Sequence, residues 1–208
     1  MSADDVTPIP LLASSIRLNA IPQAVAAARL FVRHTLTLWD LEEHVEHAAL
    51  IMSELATNAV RAASLGTEAE PEAEVEETST EAVIGVQLRA IEASLFVEVY
   101  DSTSGAPVRK NPDQDTEGGR GILLVEQLAK QWNTHHPSVG GKIVWAELPL
   151  GFSLEPSACI YERTPLILPR GLRAKYSPDE HQARRALLDC LLNTTVLASM
   201  ATRMTDAT

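Results

Sequence analysis

Residues 82–91, AVIGVQLRAI, and 94–101, SLFVEVYD, alternate apolar and polar side chains with period two around the turn-like EAS, a pattern that reads as two strands of a hairpin. A hairpin alone is marginal in water, so the rest of the chain must add strands and cover an apolar face. A further strand is legible at 142–150, KIVWAELPL. The cover is legible upstream: residues 21–38 place Pro22 where a first helical turn tolerates it and then Val25, Ala28, Val32 and Leu36 at helical spacing. A second helical stripe, Leu41, Val45, Ala48, Met52, Leu55 and Ala59, runs to about Ala63 and ends near Gly66, and a shorter helix is expected over 122–132. The segment 133–141, NTHHPSVGG, reads as a turn.

Past Gly151 the pattern dissolves into an irregular, proline-containing connector. Ser177, Pro178 and Glu180 then form a capping-box signature that opens a helix over 178–201, with the stripe Ala183, Leu187, Cys190, Leu191, Thr194 and Leu197. The expected division is a flexible N-terminus (1–15), a main domain (16–150) with an acidic loop insertion (66–81), and a connector plus C-terminal helix (151–208).

Charge narrows the class of partner. The chain of 208 residues carries −11, and without the seven glutamates of 66–81 the remainder carries −4. Nucleic acid is thereby excluded as a direct partner, since phosphate contacts need clustered Lys and Arg. The acidic stretch reads as a solvated loop. No apolar run reaches membrane-spanning length, and MSADDVTPIP begins with acids where a signal peptide needs basic residues, so no membrane association and a cytoplasmic location are expected. Cys159 and Cys190 are too few for a disulfide framework and lack zinc-site spacing. His44, His47, His135 and His136 form no complete ligand motif, and Trp39, Trp132 and Trp145 read as core.

Three short stretches carry chemistry. In ELATNAV (54–60), Glu54 and Asn58 stand at i and i+4 on one helix face, apart from the apolar stripe, and can share one ligand. In DSTSGAP (101–107), Asp101 ends a strand ahead of small residues and Gly105, where a carboxylate can accept from an exocyclic amine while the backbone leaves space for a flat ring. In EGGRGILLV, Gly118, Gly119 and Gly121 immediately precede a helix, and amides at such a start form an anion site to which Arg120 adds charge. Each is weak alone, since a solvated helix face, a turn aspartate and a glycine cluster are all common.

In this order, and followed by GGKIVWAEL, the stretches resemble the asparagine box and the two glycine boxes of the GHKL ATP-binding superfamily, which includes histidine kinases, gyrase and MutL. The compact form is similar to the bacterial anti-sigma factor serine/threonine kinases. The resemblance spans about residues 16–149 and implies an α/β two-layer sandwich of Bergerat type. That fold has a mixed, mostly antiparallel sheet of four or five strands under three helices, here with a helical C-terminal extension.

The resemblance implies ATP and Mg2+ as cofactors, with Asn58 on the metal, Glu54 positioning or deprotonating the attacking hydroxyl, and Asp101 on the adenine amino group. Gly105 would shape the adenine pocket, and Gly118, Gly119, Arg120 and Gly121 would hold phosphate. Residues 108–118 would form the lid. It also implies a sigma factor and an anti-anti-sigma protein of the STAS type as partners, and a homodimer. The chain departs from the pattern in three places: NAVRAAS keeps Arg61 but lacks a following His, Thr103 stands where a glycine is usual, and the acidic insertion and C-terminal extension have no counterpart. Two other readings stay open: a nucleotide-dependent binding module without phosphoryl transfer, and an interaction protein that works through its C-terminal helix.

Overall fold

The computed structural model describes residues 11–66, 82–103, 120–154 and 165–205, without the side chains of 65, 66, 120 and 193–205. The elements in chain order are β1 (Leu11–Asn19), α1 (Gln23–Leu38), a 3-10 turn (Glu42–His44), α2 (Val45–Gly66), β2 (Val83–Ile91), β3 (Ser94–Asp101), α3 (Arg120–Leu128), β4 (Gln131–His135), β5 (Lys142–Pro149) and α4 (Pro178–Thr205). The strands form one sheet in the order β1-β2-β3-β5-β4, and every pairing is antiparallel. The architecture is the expected α/β sandwich, with an antiparallel sheet in place of a mixed one.

Period-two alternation sorts the sheet into two faces. Ile84, Val86, Leu88 and Ala90 of β2, Leu95, Val97 and Val99 of β3, and Val144, Ala146 and Leu148 of β5 meet Ala28, Phe31 and Val32 of α1 and Met52, Leu55 and Ala59 of α2 in the main core. The other face is covered by α4, where Ala183, Ala186, Leu187 and Cys190 pack on Val83, Tyr100 and Ile143. All nine residues of β2 are consequently buried, including Gln87 and Arg89.

Those polar side chains pair beneath α4, although Arg89 Nη1 has no hydrogen-bond partner among the described residues. Arg89 pairs with Glu98 on the neighbouring strand, Gln87 donates to Glu98 Oε2 at 2.6 Å, and the Arg89 guanidinium lies 4.6 Å from the centre of the Phe96 ring. The pairing keeps two buried charges from standing alone, the situation that makes isolated buried ions expensive.

Two expectations are corrected at the ends of elements. β1 starts at Leu11, so residues 11–15 are paired along the sheet edge against β2 rather than belonging to a flexible N-terminus. Helix α3 stops at Leu128 instead of continuing to Trp132, because Lys130 N–H donates to Glu147 O at 2.8 Å and the chain is captured as β4 beside β5. The segment read as a turn therefore begins within a strand.

Described residues of the connector hydrogen-bond to the β1 edge. Asn19 N–H donates to Leu172 O at 2.9 Å and Ala174 N–H to Arg17 O at 3.1 Å. At the start of α4, Glu180 N–H donates to Ser177 Oγ at 3.2 Å, which is one half of the expected capping box. The Glu180 carboxylate forgoes the other half and instead accepts from Arg17 Nε at 2.9 Å and Arg184 at 3.2 Å, tying α4 to β1. The acidic insertion, apart from Gly66 at the end of α2, lies outside the described residues.

Candidate functional site

Helix α2 packs on β3 and on α3. Leu55 and Ala59 turn into the core, which leaves Glu54 and Asn58 one turn apart on a half-buried face. Neither side chain hydrogen-bonds to another described residue. A carboxylate and a carboxamide left half-buried without partners among the described residues have capacity for a ligand.

Opposite Glu54 stands Gly121, in the first turn of α3. A Cβ built at Gly121 would overlap Glu54 Oε2 and come within 3.0 Å of its Cδ, so the missing side chain is what admits the carboxylate. Glu54 and Gly121 are therefore brought together by the fold. Arg120 opens α3 with its side chain outside the described residues, as are Gly105, Gly118, Gly119 and the segment 108–118.

Asp101 ends β3 in phase with Leu95, Val97 and Val99, so its carboxylate is directed to the core side of the sheet and is only 2% exposed. Its Oδ1 accepts from Thr103 N–H at 3.0 Å, from the Thr103 hydroxyl at 2.5 Å and from Lys142 Nζ at 2.8 Å. Lys142 was not anticipated from the sequence. Its signal was a lysine in phase with Val144, Ala146 and Leu148, on the face of β5 that should be apolar.

The backbone before Lys142 is constrained. Gly141 has φ +76°, and a Cβ there would stand 2.5 Å from Asp101 O and 2.7 Å from Tyr100 Oη, so both the conformation and the space require glycine. Tyr100 itself is sealed under α4 with its hydroxyl unpartnered among the described residues, and burial together with the adjacent Asp101 pushes its phenol up to about 12. It stays neutral and is unsuited to proton transfer near neutral pH.

No group of three or more His, Cys, Asp or Glu among the described residues could hold a metal ion by itself. No described helix is long and apolar enough to cross a membrane.

The described residues thus combine an all-antiparallel sheet with helices on the α2 side, a Glu–Asn pair on that helix, a strand-end aspartate and a glycine at a helix start. Residues 18–148 match the family model of the histidine kinase-like ATPase domain, and the chain belongs to that family. Membership implies ATP binding and a regulatory role. Among curated proteins, none matches the chain.

Proposed function

We propose that the protein is an ATP-dependent regulator that transfers the γ-phosphoryl group to a serine or threonine of a partner protein, in the manner of an anti-sigma factor kinase acting on a STAS-type partner. The observation that carries this reading is the Glu54–Asn58 pair, half-buried and without hydrogen bonds to other described residues, with Glu54 facing Gly121 in the first turn of α3.

The donor set fits ATP with Mg2+. A carboxamide oxygen suits a hard cation that takes one protein ligand and draws the others from phosphate and water. Asn58 would supply that oxygen. Asp101 keeps Oδ2 for an exocyclic amine, and the amides at the start of α3, with Arg120, would hold phosphate at the positive end of the helix. Gly118 and Gly119 would complete that start, and Gly105 would leave space for the adenine ring. Bound Mg2+-ATP supplies the phosphoryl group; Glu54 orients the attacking hydroxyl and accepts its proton.

Incubating the protein with labelled ATP and a STAS-domain protein tests the reading. Transfer to the partner that is lost in Glu54→Ala while ATP binding persists supports a kinase with Glu54 as its base. Transfer that survives unchanged in Glu54→Ala removes that role. Absence of transfer from wild type to any such partner, with ATP bound, favours a nucleotide-dependent binding module. The burial of Ala183, Ala186, Leu187 and Cys190 against the sheet supports a structural role for the first half of α4 rather than a free interaction helix.

A further inference from the structure

Lys142 opens β5 directly opposite Asp101 in the antiparallel register. Its side chain is 5% exposed, and its ammonium donates to Asp101 Oδ1 at 2.8 Å, to Thr103 Oγ1 at 2.5 Å and to Thr103 O at 3.3 Å. Those three bonds use all three of its donors. The Thr103 hydroxyl accepts from Lys142 and donates to Asp101 Oδ1 at 2.5 Å, closing a ring of three side chains. With Thr103 N–H added at 3.0 Å, Oδ1 is saturated. Oδ2 accepts from no described residue.

A buried ion pair is weak evidence for stability, because an apolar pair of similar volume folds as well or better. What this pair does is fix the face of a carboxylate. We propose that Lys142 and Thr103 are positioning residues whose clamp on Asp101 makes the site selective for a purine nucleotide bearing an exocyclic amine over one bearing a carbonyl at the same carbon. This rests on the reading of Asp101 as the group that meets the base.

The argument is one of donors and acceptors. Oδ2 offers a ligand an acceptor, while every proton of the clamp is already engaged within it. An amino group satisfies that oxygen. A carbonyl at the same place sets acceptor against acceptor and leaves Oδ2 without a donor, a mismatch that costs at least about tenfold in affinity. Without Lys142 the carboxylate regains the freedom to turn, and the discrimination falls.

Calorimetric titration of ATP and of inosine triphosphate, which differ by this amine-for-carbonyl exchange, tests the clamp in wild type, Lys142→Met and Thr103→Val, with thermal unfolding confirming that each variant is folded. Wild type is expected to favour ATP by roughly tenfold or more. Lys142→Met should bring the two nucleotides within about threefold of each other, and Thr103→Val should fall between. A purely structural lysine would weaken both ligands together and leave their ratio intact. If Lys142→Met does not fold, the ratio in Thr103→Val decides. Equal binding by wild type, or an unchanged ratio in the folded variants, overturns the clamp. Wild type that binds neither nucleotide overturns the nucleotide reading of Asp101 and the clamp with it.

Discussion

Glu54 and Gly121 face each other across the α2–α3 junction with no room for a methyl group between them, since a Cβ on Gly121 would lie 3.0 Å from Glu54 Cδ and 3.4 Å from its Cγ. The obstructed atoms belong to the end of a flexible side chain, and alanine suits a helix better than glycine by about 0.5–1 kcal/mol. Gly121→Ala is therefore expected to change unfolding stability by less than about 1 kcal/mol while displacing the Glu54 carboxylate and lowering phosphoryl transfer at least about tenfold. Denaturant unfolding beside an activity assay separates the two effects.

Glu147 joins β5 to β4 and to the hairpin by accepting from Lys130 Nζ at 2.8 Å, Ser94 Oγ at 2.7 Å and Gln131. Burial by itself would raise its pKa above the ordinary 4.5, but the bonds from Lys130, Ser94 and Gln131 outweigh burial and hold it below. A carboxylate lowered on folding contributes stability above its unfolded value and loses it as pH falls through the folded one. Stability measured by denaturant should thus decline below about pH 4.5, and Glu147→Gln should cost about 1–3 kcal/mol at pH 7 and flatten that decline.

Leu187 fills the space above Gly85, where a Cβ would meet Leu187 Cδ1 at 2.9 Å, and it is buried to 2% exposure. Leu187→Ala should destabilise the fold by about 2–4 kcal/mol, seen as a lower denaturant midpoint. If the midpoint does not move, α4 contributes nothing to stability through this contact.

Glu92 sits at φ +52° in the β2–β3 turn, a conformation that glycine adopts without a steric penalty. Glu92→Gly is expected to stabilise the protein by roughly 0.5 kcal/mol, with thermal unfolding as the check.

The hairpin, α1, α2 and β5 were legible because their apolar periods are sustained over several repeats and agree with their burial. β1 was obscured because LLASSIRLN is an edge strand with Ser14 and Ser15 interrupting its alternation just ahead of a proline-marked helix. β4, QWNTH, is five residues long and mostly polar, so the helical period of α3 seemed to run through it. The site was legible where it depends on spacing within one element, as for Glu54 and Asn58. Lys142 was not, since its role comes from a strand register that pairs it with a residue 41 positions away.

The central claim is that the α2 pair and the strand-end aspartate belong to one ATP site, and calorimetric titration of ATP with and without Mg2+ tests it most directly. The account predicts Mg2+-dependent binding by wild type, weakened at least about tenfold in both Asn58→Ala and Asp101→Ala. Binding that ignores Mg2+ and survives both substitutions, or no binding at all, would contradict it.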